Sequence, residues 1–174
     1  MPAPVGSIAP RVEALGLAGE AEAPRPAALG APVDLARLWD GGRPAVLFFY
    51  KGECGASDAA AHVLPRLAAI PGLTVAAISQ DGAEDTDSFS RTHRFAERAV
   101  RVLVDRDPWR ASVAFGVLSA PTLVLVAPGG RVAAVLEGWS RDEANAFAAQ
   151  AARLAGAPAP VVSTPSDGPA FLPG

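Results

Sequence analysis

Six consecutive apolar residues, Ala45 to Tyr50, lead through the polar turn Lys51-Gly52-Glu53 into Cys54, the only cysteine of the chain. A run with no polar alternation reads as a strand buried on both faces, the habit of a central strand in a sheet covered by helices. The residues that follow, G-A-S-D-A-A-A-H-V-L-P-R-L-A-A-I, are rich in alanine and leucine and read as a helix. Pro65 is expected to kink or end it, because its ring clashes with the preceding turn and removes a donor. Cys54 therefore falls in the first turn of a helix directly behind a central strand. The first N–H groups of a helix lack intrahelical partners and carry partial positive charge, which stabilises a thiolate. Free cysteine ionises near pH about 8.5, and a helix start or a nearby cation lowers that value. Lys51, the only lysine, adds to the effect and Glu53 opposes it, so the net sign stays open at this stage.

Half of the 174 residues are apolar, enough for one domain with a sizeable core. The formal net charge is -3 and the basic residues are scattered, which leaves no electrostatic footprint for nucleic acid or an anionic membrane. No apolar run reaches the roughly 18 residues of a membrane helix. The opening M-P-A-P-V-G-S-I-A-P-R lacks the basic region and apolar core of a secretory signal. A soluble cytoplasmic protein, monomer or homodimer, with protein or small-molecule partners is expected. One cysteine cannot close a disulfide within its own chain or build a thiolate metal cluster, and His62 and His93 share no ligand spacing. No metal and no cofactor are expected, and any redox cycle must borrow an outside thiol.

Three segments are expected: an N-terminal extension at 1–32 that packs on the domain, a domain at 33–156, and a proline-rich tail at 157–174. The extension is dense in proline, glycine and alanine, with a short strand over Arg11–Leu17 as half of a hairpin. Asp34 caps a short helix over Leu35–Trp39. Further strands are expected over Thr74–Ser79, Val100–Val104, 122–126 and 131–137, the last two joined by the turn Pro128-Gly129-Gly130. Helices are expected from Thr86 or Asp87 and over Trp109–Phe115. Ser140 and Glu143 form a capping box for a last helix with Ala144, Phe147, Ala151 and Leu154 on one face, ended by Gly156. In the tail, Phe171 and Leu172 are the candidate anchors. Strands alternate with helices until a terminal hairpin and helix, the pattern of an α/β fold with a mixed sheet flanked by helices.

That order, with Cys54 at a strand-to-helix junction, resembles the thioredoxin fold. Glu53-Cys54-Gly55-Ala56-Ser57 is similar to the W-C-G-P-C site of thioredoxins, with Ser57 in place of the second cysteine. The segment G-V-L-S-A-P-T-L-V-L-V at 116–126 resembles the family stretch in which a cis proline faces the active-site sulfur, here Pro121. The opening V-G-S-I-A-P, the extra segment from Gln80 to Phe95 and the run from Val102 to Val117 look like the redoxin branch, which includes TlpA-like proteins and the alkyl hydroperoxide reductase/thiol-specific antioxidant proteins. The resemblance spans about residues 5–156. It implies a thioredoxin-like fold with an N-terminal extension and a redoxin-type insertion, Cys54 and Ser57 as the catalytic pair, and a substrate surface of Glu53, Gly55, Ala56, Ala120, Pro121 and Thr122.

Departures from the pattern narrow the chemistry. Ser57 removes the resolving thiol, and Phe48 stands six residues before the cysteine, where thioredoxins carry a buried acid. Peroxiredoxins place proline and threonine where this chain has Leu47 and Lys51. Three readings follow: a monothiol oxidoreductase, antioxidant in effect, exchanging with a thiol or disulfide protein and resolved by a low-molecular-weight thiol; a one-cysteine peroxidase acting on peroxide; or a non-catalytic module that binds peptide along Pro121. Ser57 either donates a hydrogen bond to the Cys54 thiolate or is an ordinary early-helix serine.

Overall fold

In the computed structural model the described residues are 1–18 and 27–174. The part of the expected N-terminal extension at 19–26 lies outside them. Seven strands form one mixed sheet: β1 (Glu13–Ala18), β2 (Ala28–Asp34), β3 (Ala45–Tyr50), β4 (Thr74–Ser79), β5 (Arg101–Val104), β6 (Thr122–Val126) and β7 (Val132–Glu137). Their spatial order is β2-β1-β5-β4-β3-β6-β7. β3, β4 and β5 run parallel, while β6, β7, β1 and β2 are joined by antiparallel pairing.

Every residue of β3 is buried, and its packing explains why the sequence shows no alternation. Val46, Phe48 and Tyr50 enter the core under the helices α1 (Gly55–Ala61), α2 (Val63–Ala68) and α5 (Arg141–Ala155). Ala45, Leu47 and Phe49 enter a second core on the opposite face, with Leu35, Leu38 and Phe115. Burying an aromatic or branched side chain contributes about 1.5–3 kcal/mol, so a strand apolar on both faces is anchored twice.

The expected strands form within a residue or two of their predicted ends, and three local differences have clear causes. The helix behind β3 breaks at His62 rather than at Pro65. Proline lacks the N–H that would reach the Ala61 carbonyl four residues back, and its ring crowds that carbonyl, so the break falls upstream. The antiparallel partner of β1 is β2, whose sequence shows no strand pattern because Gly30 and Pro32 interrupt it; it lies at the sheet edge, where proline is tolerated. Helix α3 (Ala83–Thr92) begins a turn earlier than its periodicity suggests, with Glu84 and Asp85 in the first turn, where acids complement the helix dipole.

At the start of α5 the Ser140 hydroxyl accepts from Glu143 N–H, and only this half of the capping box is present among the described residues. Ala144, Phe147, Ala148, Ala151 and Ala152 are its buried face, with Leu154 at the margin. The tail folds back along the domain. Val162 is fully buried, Asn145 Oδ1 accepts from the N–H groups of Val162 and Ser163, and Arg66 grips Asp167 through two hydrogen bonds. A two-stranded sheet of β8 (Trp139–Ser140) and β9 (Phe171–Leu172) closes it. Of the two candidate anchors, Leu172 packs against the core, whereas Phe171 points outward, 66% exposed.

Candidate active site

The sheet gathers the site at one edge. Three parallel strands end together at Tyr50, Ser79 and Val104, and β6 begins at the same edge, with Phe49 opposite Thr122. The loops that leave these ends therefore meet: 51–54, 80–81, 105–109 and 119–121. Such an edge, outside the carboxyl ends of parallel strands, is where α/β sheets build their sites.

Cys54 sits at the N-cap position of α1, one residue earlier than a first-turn place, with extended backbone (φ -86°, ψ 116°). Its carbonyl accepts the Asp58 N–H at 3.0 Å, and its own N–H donates to Lys51 O at 3.2 Å. The sulfur is half-buried and its S–H donates to Ala120 O at 3.2 Å, across 66 residues of chain. The Ala120–Pro121 bond is cis. Pro121 O in turn accepts from Gly138 N–H, and the Thr122 hydroxyl donates to Ser119 O, which ties the proline loop to its own strand.

The other residues singled out by sequence separate into two groups. Glu53 and Gly55 are exposed beside the sulfur, and Ala120 is half-buried at its contact. Ala56, Pro121 and Thr122 are buried; Ala56 belongs to the core under α1, and Thr122 is fully enclosed. Ser57 is also fully buried. Its hydroxyl accepts from Lys51 N–H at 3.4 Å, and no bond between Ser57 and Cys54 forms among the described residues. Of the two readings of Ser57, the geometry supports a serine that holds the turn between β3 and α1.

Behind the turn, Phe48 stacks on Tyr50, with ring centroids 5.3 Å apart, and Tyr50 stacks on Phe89 at 4.5 Å. Burial pushes the Tyr50 phenol well above its ordinary value, so it stays neutral. Burial also holds His93 below its ordinary value, against the pull of Asp58, whose carboxylate lies 3.0 Å from His93 Nε2.

Sequence reasoning missed Asp81, Gln80 and Trp109. Asp81 accepts the Gly52 N–H at 2.6 Å and so braces the loop before Cys54. Trp109 donates from Nε1 to Gln80 O at 3.3 Å, and its ring lies 5.9 Å from the Lys51 ammonium. The available signal was positional, since each follows the end of a parallel strand. Among the described residues no cluster of His, Cys, Asp and Glu is placed to hold a metal ion, and no helix is long and apolar enough to cross a membrane.

Solved structures share this architecture. A secreted Mycobacterium tuberculosis disulfide oxidoreductase, homologous to E. coli DsbE, is 26% identical with a TM-score of 0.57, over 73% of this chain and 90% of that one. MTB dsbF is 26% identical with a TM-score of 0.60, over 72% and 89%. The thioredoxin domain of a thiol-disulfide oxidoreductase from Bacteroides vulgatus is 17% identical with a TM-score of 0.62, over 78% and 90%, a likeness of fold alone. The fold is thioredoxin-like, and its neighbours are thiol-disulfide oxidoreductases. No curated protein matches in sequence. A family model does match, from residue 41 before β3 to residue 144 in α5, well over half of the chain and the whole of the Cys54–Ala120 contact; the chain belongs to that family, described as TraF, F plasmid transfer operon protein.

Proposed function

We propose that the protein is a thioredoxin-like oxidoreductase in which Cys54 alone carries thiol-disulfide exchange and an external thiol resolves it. The observation that carries this reading is the half-exposed Cys54 sulfur at the start of α1, 3.2 Å from the carbonyl before Pro121. A disulfide attacked there lies against the Ala120–Pro121 loop, with the exposed Glu53 and Gly55 beside it. In the first step the Cys54 thiolate bonds one sulfur of the partner disulfide, the partner S–S bond breaks, and the other sulfur leaves with the electron pair. A low-molecular-weight thiolate then attacks the mixed disulfide at the partner's sulfur and Cys54 leaves as thiolate. The partner ends joined to the external thiol, and no electrons are left unaccounted for.

Ser57 supports the same reading. Where a dithiol site keeps its resolving sulfur, this chain keeps a buried hydroxyl occupied by Lys51 N–H. The cycle needs a supply of reducing thiol, and for that reason we assign it to the cytoplasm; fractionation with the full-length protein tests the assignment.

The test is to mix reduced protein with a glutathione-capped peptide disulfide and follow the Cys54 adduct by intact mass, then add glutathione. The adduct is expected to form and to clear, and Cys54→Ser to do neither. Turnover retained in Cys54→Ser overturns the proposal. An adduct absent with disulfides while dilute peroxide converts Cys54 to sulfenic acid moves the activity to a one-cysteine peroxidase. Inertness to both leaves a binding module.

A further inference from the structure

Two cavities share the turn before Cys54. One, of about 320 Å³, is lined by Gly52 and Glu53 and is acidic, with Asp58, Asp81 and Asp85 around it. The other, of about 270 Å³, runs from Lys51 past Trp109, Val113 and Leu118 to Ala120, the residue whose carbonyl takes the Cys54 S–H. Single exposed apolar side chains are ordinary on a surface. Here Leu118 (77% exposed), Val113 (71%) and Trp109 (40%) edge one cavity that opens beside the reactive sulfur. A concentration of apolar surface at a reactive group marks a contact site.

The cavity also carries a charge. Lys51 takes part in none of the ion pairs formed by the described residues. Its ammonium stands over the Trp109 ring, and the ring is fixed by the hydrogen bond from its Nε1 to Gln80 O. An unpaired cation thus sits at one end of a cavity edged by Trp109, Val113 and Leu118, with Gln80, Ser112 and Ser119 on its wall, while the neighbouring cavity across residues 51–53 is lined by carboxylates.

Resting on the redox reading of Cys54, we propose that this surface selects its polypeptide substrate by sequence. A large apolar side chain beside the substrate's reacting cysteine enters the cavity between Trp109, Val113 and Leu118, and an acidic side chain next to it meets Lys51. The carboxylate cavity repels that acid on the other side of the turn, so the two cavities together fix which way round the substrate lies across Cys54. Opposed fields of this kind give specificity and association rate more than raw affinity.

The test uses two short peptides that differ at one position, each with its cysteine capped by thionitrobenzoate and a leucine beside it, followed by glutamate in one and lysine in the other. The Cys54 sulfur bonds to the peptide sulfur, the capping S–S bond breaks, and thionitrobenzoate leaves with the electron pair and is read by its absorbance. At low salt the glutamate peptide is expected to react about two- to five-fold faster, the range for one exposed charge pair. The gap should close at about 0.5 M salt and invert in Lys51→Glu, while Leu118→Ser should slow both peptides about five-fold or more by removing an apolar anchor. Equal rates for the two peptides at low salt, or a preference unchanged in Lys51→Glu, overturn the proposal. Reaction of Cys54 with the small neutral disulfide 2,2′-dithiodipyridine separates the two claims. Failure there sinks the redox reading alone, and the peptide preference is then measured as binding of fluorescein-labelled serine analogues to the Cys54→Ser chain, where the same order must hold.

Discussion

Asp105→Ala is expected to destabilise the protein by about 3 kcal/mol. Helix α4 (Arg110–Ala114) starts at Trp109, whose backbone is left-handed (φ 50°, ψ 53°) and whose side chain gives no cap. The first N–H groups of any helix need acceptors. Here they come from Asp105, 3% exposed, whose two carboxylate oxygens accept from Ala111 N–H at 3.0 Å and Ser112 N–H at 2.7 Å. Each bond to a charged acceptor contributes about 1.5–3 kcal/mol, and the two donors left behind are themselves buried, so about 3 kcal/mol is the low end of their joint loss. With a urea slope of about 2 kcal/mol/M, the unfolding midpoint should fall by about 1.5 M. Asp105→Asn keeps one acceptor but turns an NH₂ towards the second donor, and should recover at most half. Amide exchange at Ala111 and Ser112 should accelerate in parallel. A loss below about 1 kcal/mol with those amides still protected would mean that something other than Asp105 holds the start of α4.

Three further outcomes are expected. Residues three apart on a helix have Cβ atoms about 5–6 Å apart, and a disulfide needs about 3.5–4.5 Å, a gap that a small shift at the start of α1 closes; Ser57→Cys should therefore form an internal disulfide on mild oxidation, and two persistent titratable thiols would count against that geometry. Burial, opposed by the Ala59 carbonyl and Asp167 and assisted by Arg66 and His93, holds His62 below its ordinary 6.5. The unfolded chain then binds more protons, so this contribution is complete above pH about 6.5 and is lost as pH falls through that value towards the lower folded pKa; urea midpoints should drop on acidification, with a shallower slope in His62→Asn. Val162→Ala should cost about 2 kcal/mol by cavity formation under the tail, since Val162 is fully buried, and a change under about 0.5 kcal/mol would show that the tail adds little to the core.

What was legible in the sequence follows from what kind of information each feature carries. The run Ala45–Tyr50 and the strands Thr74–Ser79 and Thr122–Val126 are local signals, and local hydrophobic pattern is enough to set a buried strand. Cys54 beside Ala120 was legible only through the resemblance, because nothing local joins residues 66 apart. Asp105 directly follows the expected strand Val100–Val104 and carries no local sign of a helix cap. Its service to α4 depends on the left-handed turn at Trp109, which propensity disfavours and the surrounding chain enforces. Leu172, a candidate anchor of the tail, packs against the core, but the other contacts that hold the tail were not legible for a related reason. Its proline content suits an extended chain, and what orders it is distant: Asn145, Arg66 and the buried pocket for Val162.

The two departures from a dithiol site are linked by the packing behind Cys54. A buried acid at position 48 would need hydrogen-bonding partners or water to offset its desolvation. This chain instead fills the space with the Phe48–Tyr50–Phe89 stack, whose one polar group, the Tyr50 phenol, is buried and neutral, so position 48 offers no carboxylate to take a proton from a second thiol. A buried sulfur at position 57 would then have to ionise in an apolar setting, the direction in which burial works against a thiolate. Serine at that position avoids the difficulty and keeps the Lys51 N–H supplied. Under the proposed cycle the resolving thiol must therefore arrive from the solvent side, over Glu53 and Gly55, the exposed residues on either side of Cys54. Ser57→Cys tests this link as well. If its new thiol resolved a Cys54 mixed disulfide as fast as added glutathione does, the aromatic stack would not be the obstacle argued here, and Phe48→Asp should then bring no further gain.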